Sequence, residues 1–85
     1  MLNRQKNPVE WGTWLHEFTD AIEHLENLTT KIGESEEFCE VDLKIQLGHI
    51  YSHLNRAWNS RHHEVDISEE KWKEFSEFPK DIDWT

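Results

Sequence analysis

The chain has 85 residues and a formal net charge of −9, and 32% of its residues are charged. That length allows one small domain over residues 1–85, and five tryptophans with four phenylalanines are too many large apolar groups for a disordered chain. The acidic balance argues against direct binding of nucleic acid or of an anionic membrane, because both need clustered Lys and Arg side chains.

The number of cysteines and the length of the apolar runs indicate the cellular compartment. Cys39 is the single cysteine, so no internal disulfide can form. No apolar run approaches the ~18 residues of a membrane span, and residues 1–7 are polar, without the apolar region of a signal peptide. These observations favour a cytoplasmic protein in a reducing environment.

The first predicted element is a long amphipathic helix over about residues 8–32. Asn7 is a suitable N-cap, Pro8 fits the first helical position, and Glu10 is placed to complete the cap. Apolar residues then recur in the heptad pattern of a helix that packs against another helix. We call this set the seam; it consists of Trp11, Leu15, Phe18, Ile22, Leu25 and Ile32, with Thr29 in its one polar position. Gly33, which can adopt a left-handed backbone, predicts the helix end.

The second predicted helix covers about residues 35–61. Ser35 is the expected N-cap, and Glu36 and Glu37 follow in the first turn, where acidic side chains complement the helix dipole. The apolar stripe of this helix consists of Leu43, Leu47, Ile50, Leu54, Ala57 and Trp58. Because so few residues separate the two helices, we expect them to be antiparallel neighbours.

A shorter third helix is predicted over about residues 68–77. Either Asp66 with Glu69 or Ser68 alone can cap it. Phe78 and Pro79 end it, because a residue before proline is disfavoured in the helical conformation. Residues 80–85 are expected to be extended. We expect the aromatic side chains of the third helix to cover part of the apolar surface of the first two helices, and a docking arm for another protein is the alternative.

The charges are sorted along the chain. Residues 10–42 contain ten acidic residues and one base, Lys31, whereas residues 43–61 contain no acidic residue. The sequence predicts an all-α fold, namely an antiparallel two-helix hairpin with a short third C-terminal helix. Two such helices expose more apolar surface than they bury on each other, so we expect a four-helix-bundle-like homodimer, with a three-helix monomer as the alternative. The expected interface residues are Trp11, Trp14, Phe18, Ile45, Trp58, Trp72 and Phe75.

Three residues on the first helix are candidate metal ligands. His16, Asp20 and His24 recur at every fourth position, and imidazole and carboxylate groups at this spacing suit zinc or a similar divalent ion. His49 and His53 repeat the spacing on the second helix. Because the His16 face lies away from the apolar seam, we favour surface histidines without a metal and expect no cofactor.

Paired carboxylates suggest one alternative function. Glu23 with Glu26, and Glu37 with Glu40, form two Glu-x-x-Glu pairs, and Asp42 follows closely. The pattern resembles that of the all-α nucleotide pyrophosphohydrolases of the MazG kind, and the resemblance implies a Mg²⁺-dependent hydrolase. It covers only these short motifs, and no basic residue lies among them to meet a triphosphate. We therefore expect no enzymatic activity.

Association with another protein is the function that the sequence favours. We expect a small acidic helical protein that acts as a binding or regulatory module, through a homodimer and an unidentified protein partner. A second alternative depends on the acidic face of the first helix. A rigid row of carboxylates can imitate a nucleic-acid backbone and so inhibit a protein that binds nucleic acid.

Overall fold

A computed structural model describes residues 1–83, which contain three α-helices and no strand. α1 comprises Pro8–Glu34, α2 comprises Glu40–Asn59 and α3 comprises Glu69–Phe75. The prediction of an all-α fold is confirmed. Trp84 and Thr85, the end of the predicted extended segment, lie outside the described residues. No helix in the described part of the chain is long and apolar enough to cross a membrane.

The first helix begins where the sequence predicted and ends slightly later. Pro8 occupies the first helical turn, where its missing N–H is not needed. Gly33 lies inside the helix without a positive φ, so the predicted left-handed end at this residue is wrong. The helix ends when Ser35 turns to an extended backbone, while the Ser35 amide still donates to the carbonyl of Lys31 at 2.9 Å.

The second helix begins at Glu40, not at residue 35. Residues 35–39 form a connecting segment in which the Ser35 hydroxyl accepts from the Glu37 amide at 3.3 Å, so this side chain stabilises a local turn and not a helix. Cys39 is the actual N-cap, and its amide donates to the Asp42 carboxylate at 3.2 Å. Composition alone missed this start because Ser35 and the acidic residues after it make an equally suitable first turn.

The first two helices pack side by side in opposite directions. Near the start of α1, the Trp14 indole N–H donates to the carbonyl of Ala57, near the end of α2, at 2.7 Å. Further along α1, the ring of His24 lies 5.6 Å from that of His49, which comes earlier in α2. The centre of this contact is narrow and apolar. Its buried residues are Ala21, Leu28, Ile50 and Ala57.

The apolar seam of α1 does not face α2, contrary to the prediction. Ile22 is 57% exposed, whereas Leu28 is only 3% exposed. The line of α1 that meets α2 runs through Trp14, Ala21 and Leu28, and the seam lies on one flank of it. A rotation of α1 that turned the seam toward α2 would move the Trp14 indole away from its backbone acceptor, which explains the observed orientation.

The C-terminal segment docks on a polar side of α2. Asn55 donates from its side-chain amide to the carbonyl of Ser76 at 2.9 Å, and Asn59 donates likewise to the carbonyl of Phe75 at 2.9 Å. Of the two predicted caps, the side chain of Ser68 is the one that caps α3, by accepting from the amide of Lys71. These polar contacts hold the C-terminal segment on α2, where it does not cover the seam of α1. The seam therefore stays half-exposed.

Candidate functional site

A buried arginine ties the three helices together. Arg56 is only 4% exposed, and its Nε donates to Oε2 of Glu17 on α1. Its Nη1 donates to the Ser76 hydroxyl at 2.8 Å, and its guanidinium carbon lies 4.3 Å from the ring centroid of Trp72. A buried charge is tolerated only when it is paired and hydrogen-bonded. This cluster therefore fixes the positions of α1 and α3 on α2.

Three histidines extend the arginine cluster along the contact between α1 and α2. Nδ1 of His53 lies 3.0 Å from Oε1 of Glu17 and 3.0 Å from Nη2 of Arg56. The His24 ring lies 5.2 Å from that of His53 and 5.6 Å from that of His49. The sequence did not indicate this cluster, because the cluster depends on the register between the helices. The available signal was that His24 and His49 lie at similar distances from the connecting segment.

The structure does not bring His16, Asp20 and His24 together as a metal site. His24 turns toward α2, whereas His16 and Asp20 line a groove on the outer side of α1. Successive steps of four residues drift by about 40° around a helix, so His16 and His24 differ in direction by about 80°. Among residues 1–83, no group of three or more His, Cys, Asp or Glu side chains is arranged to hold a metal ion.

One carboxylate pair lies within a helix, and the other spans the connecting segment and the start of α2. Glu23 and Glu26 are exposed on α1, but Glu37 lies in the connecting segment, ahead of the helix that the resemblance requires. Glu40 is the first residue of α2, and the Asp42 carboxylate is used as part of the helix cap. The second pair is therefore not presented from within a helix.

Three of the predicted interface residues form an aromatic row on α1. The ring centroids of Trp11 and Trp14 lie 5.0 Å apart, and those of Trp14 and Phe18 also lie 5.0 Å apart, edge to face. Edge-to-face packing of this kind contributes about 0.5–1.5 kcal/mol per pair beyond area burial. The row connects the α2 contact at Trp14 to the flank of α1 that carries the seam.

The other predicted interface residues are dispersed. Trp72 is occupied by Arg56, and Phe75 packs its ring edge to face against His63 at 5.5 Å. Ile45 is 50% exposed, and about 100° per residue places it on the opposite side of α2 from Leu54. These residues therefore do not lie on one continuous surface.

Trp58 anchors the last described residues to α2. Its indole N–H donates to Oδ1 of Asp81 at 3.0 Å, and the guanidinium carbon of Arg61 lies 3.7 Å from the Trp58 ring centroid. The hydrogen bond from Trp58, helped by the nearby Arg61 guanidinium, holds the pKa of the Asp81 carboxyl below its usual value. The contact holds Asp81, in the C-terminal segment, against the end of α2.

One side of the α1–α2 pair is apolar and open. The polar contacts of Glu17 with His53 and of His24 with His49 lie on one flank of both helices. Because α1 and α2 are antiparallel neighbours, their other two flanks lie together on the opposite side of the pair. On both helices that second flank is apolar. We call it the open apolar face, and its exposed members are Leu15, Ile22, Leu25 and Ile32 of α1 with Tyr51 and Leu54 of α2.

No family model, curated protein or solved structure matches the chain.

Proposed function

We propose that the chain is a protein-association module whose open apolar face is covered by a second copy of itself. Two copies would pack face to face as a four-helix bundle, with α1 and α2 of each copy in contact with those of the other. The observation that supports this most strongly is the seam of α1, which has heptad spacing but is not covered by α2.

Heptad spacing indicates what kind of surface should cover the face. Leu15, Ile22 and Leu25 follow each other at the a and d spacing of a coiled coil, and no charged residue interrupts the seam. Such a stripe packs its side chains into the gaps between residues of a facing helix. The occupant is therefore expected to be helical and to run alongside α1. The apolar flank of α2 supplies such a surface in the second copy.

The size of the face is compatible with a moderately stable dimer. Helices that overlap over about 20 residues give a face about 30 Å long, and two helices 8–10 Å apart give a width of about 20 Å. Each copy would then bury roughly 600 Å², or about a tenth of its 6699 Å² accessible surface. A total of roughly 1,200 Å² is at the lower limit of specific interfaces, so we expect a micromolar dissociation constant.

Two matched substitutions test the proposal. Ile22→Glu places a charge at the centre of the open apolar face, and Ile45→Glu makes the same chemical change at a comparably exposed position on the other side of α2. Sedimentation equilibrium at about 50 μM should show the unmodified chain and the Ile45 variant near twice the 10.3 kDa monomer mass. The Ile22 variant should sediment as a monomer, because a buried unpaired charge is strongly unfavourable.

Circular dichroism of each variant checks that its helices are intact. An unmodified chain that remains monomeric at this concentration contradicts the second copy as the occupant. A dimer that Ile22→Glu leaves unchanged contradicts the choice of face. A monomer that instead binds a helical protein of another sequence would assign the face to a different partner and so overturn the proposal.

A further inference from the structure

The dimer proposed above, on which this inference rests, can form in two ways. When two aligned helix pairs cover each other's open apolar face, the two-fold axis runs either parallel or perpendicular to the helices. A parallel axis places α1 of each copy against α2 of the other and leaves both connecting segments at the same end. A perpendicular axis places α1 against α1 and α2 against α2, with the connecting segments at opposite ends.

The two helices differ strongly in charge. α1 contains six acidic residues and one basic residue, whereas α2 contains two of each. The perpendicular axis brings the two acidic α1 helices together, and like charges facing each other across an interface are unfavourable. The parallel axis instead places each α1 beside an electrically balanced α2. The charge on the helices therefore favours connecting segments at the same end.

Two exposed residues of opposite charge border the open apolar face, one on each helix. Glu26 lies about 140° around α1 from Ala21, which contacts α2, and so borders the face just beyond Ile22. Lys44 lies seven residues before Tyr51, and therefore points in nearly the same direction from α2. Neither charge has an ion pair within the described residues. Both are therefore free to pair with a second copy.

The register of the hairpin places these two charges at similar heights along the helices. The ring of His24 on α1 meets that of His49 on α2. Glu26 lies two residues after His24, about 3 Å nearer the connecting segment. Lys44 lies five residues before His49, about 8 Å nearer the same segment, because the helices are antiparallel. The two heights therefore differ by only about 5 Å.

Only the parallel axis brings Glu26 of one copy to Lys44 of the other. This axis preserves the heights, so the two side chains face each other across the spacing of about 8–10 Å between neighbouring helices. Their combined length is sufficient to span that distance. The perpendicular axis inverts the heights about the middle of the face, near Ile22, and moves the two charges roughly 15 Å apart along the bundle.

We propose that the two copies pair with their connecting segments at the same end, and that Glu26 of each copy forms an ion pair with Lys44 of the other. The two ion pairs lie on opposite edges of the bundle. Exposed ion pairs contribute little affinity, so neutralising Glu26 weakens the dimer only about threefold or less. Like charges at these positions repel each other, and the pairs therefore select one arrangement over the other.

The distance between spin labels tests the arrangement. Cys39 is the single cysteine, it is exposed, and it lies where the connecting segment meets α2, so each copy can carry one label without a substitution. With the segments at the same end, the two Cys39 residues lie at equal height on diagonal helices. Double electron–electron resonance should then give a separation below about 25 Å. The opposite arrangement gives more than about 35 Å. Circular dichroism checks that the labelled helices are intact.

An exchange of charges tests the ion pair in the unlabelled chain. Glu26→Lys and Lys44→Glu each bring like charges together in a homodimer, but a mixture of the two variants restores both ion pairs. With one variant labelled with ¹⁵N, native mass spectrometry should show the mixed dimer in about tenfold or greater excess over a random mixture. The control mixture replaces Glu26→Lys by Glu23→Lys, the same charge change at an exposed position of α1 away from the face, and should be random.

Each contrary result has a distinct meaning. Label separations above about 35 Å overturn the arrangement but leave the dimer intact. A random mixture of Glu26→Lys and Lys44→Glu, or an equal excess in the control mixture, overturns the ion pair. No dipolar coupling at about 50 μM, together with a monomer mass, contradicts the dimer itself and this arrangement with it.

Discussion

Replacement of Glu17 by Gln should destabilise the protein substantially. The change keeps the size of the side chain but removes the carboxylate that pairs with Arg56, whose side chain is 5% exposed. Loss of one partner of a fully buried pair costs about 3–5 kcal/mol. The Glu17 side chain is 18% exposed, and Arg56 keeps its contacts with Ser76 and Trp72, so we expect a loss of about 2–3 kcal/mol.

That loss is a large part of the expected stability. An 85-residue domain typically has an unfolding free energy of about 4–13 kcal/mol, so a loss of 2–3 kcal/mol should lower the Tm by roughly 10–20 °C. Urea denaturation followed by circular dichroism, at one fixed protein concentration, measures the change in free energy. The matched control is Glu26→Gln, which changes an exposed carboxylate on the same helix that has no ion pair within residues 1–83.

The control should stay within about 0.5 kcal/mol of the unmodified chain. In a chain that already carries Arg56→Met, Glu17→Gln should cost less than about 1 kcal/mol, because no buried charge is left without a partner. If Glu17→Gln lowers the stability no more than Glu26→Gln does, the arginine cluster does not hold the helices together.

Two further predictions concern the C-terminal segment. Asn59→Ala removes donors to the carbonyls of Phe75 and Glu77. The local stability of α3 should therefore fall by about 1–2 kcal/mol, and its amide hydrogens should exchange correspondingly faster. Asn27→Ala, on the exposed side of α1, should not change this exchange, and unchanged exchange in both variants would refute this attachment. The pKa of the Asp81 carboxyl is lowered from 3.8. The ionised carboxylate therefore stabilises the folded chain above pH 3.8, and this stabilisation is lost as the pH falls through the folded-state pKa. Trp58→Phe keeps an aromatic ring but removes the indole N–H donor, so the pKa of Asp81, followed by carboxyl NMR, should rise toward its usual value; no change would contradict the assigned cause.

Local signals in the sequence were sufficient to predict the helices but not every boundary. Pro8 predicted the start of α1, and Ser68 was one of the two predicted caps of α3; both signals act within one helical turn. The start of α2 was misplaced because Ser35 and Cys39 compete as caps. The bonds that decide between them, to Glu37 and to Asp42, depend on how the connecting segment turns.

The orientation of α1 could not be obtained from periodicity. Heptad spacing shows that Leu15, Ile22 and Leu25 share one side of a helix, but it does not show which surface covers that side. Contacts between residues distant in sequence, such as that of the Trp14 indole with the carbonyl of Ala57, determine which side of α1 faces α2. The groove and the histidine cluster were missed for the same reason, since both depend on packing between elements.

The claim that a second copy covers the open apolar face can be tested directly by isotope-filtered NMR on an equal mixture of labelled and unlabelled chains. Only contacts between copies give cross-peaks in this experiment. We predict such cross-peaks from the methyl groups of Leu15, Ile22 and Leu25 and none from Ile45. Intermolecular cross-peaks from Ile45, or none from the three seam residues in a sample concentrated well above the expected dissociation constant, would contradict the account.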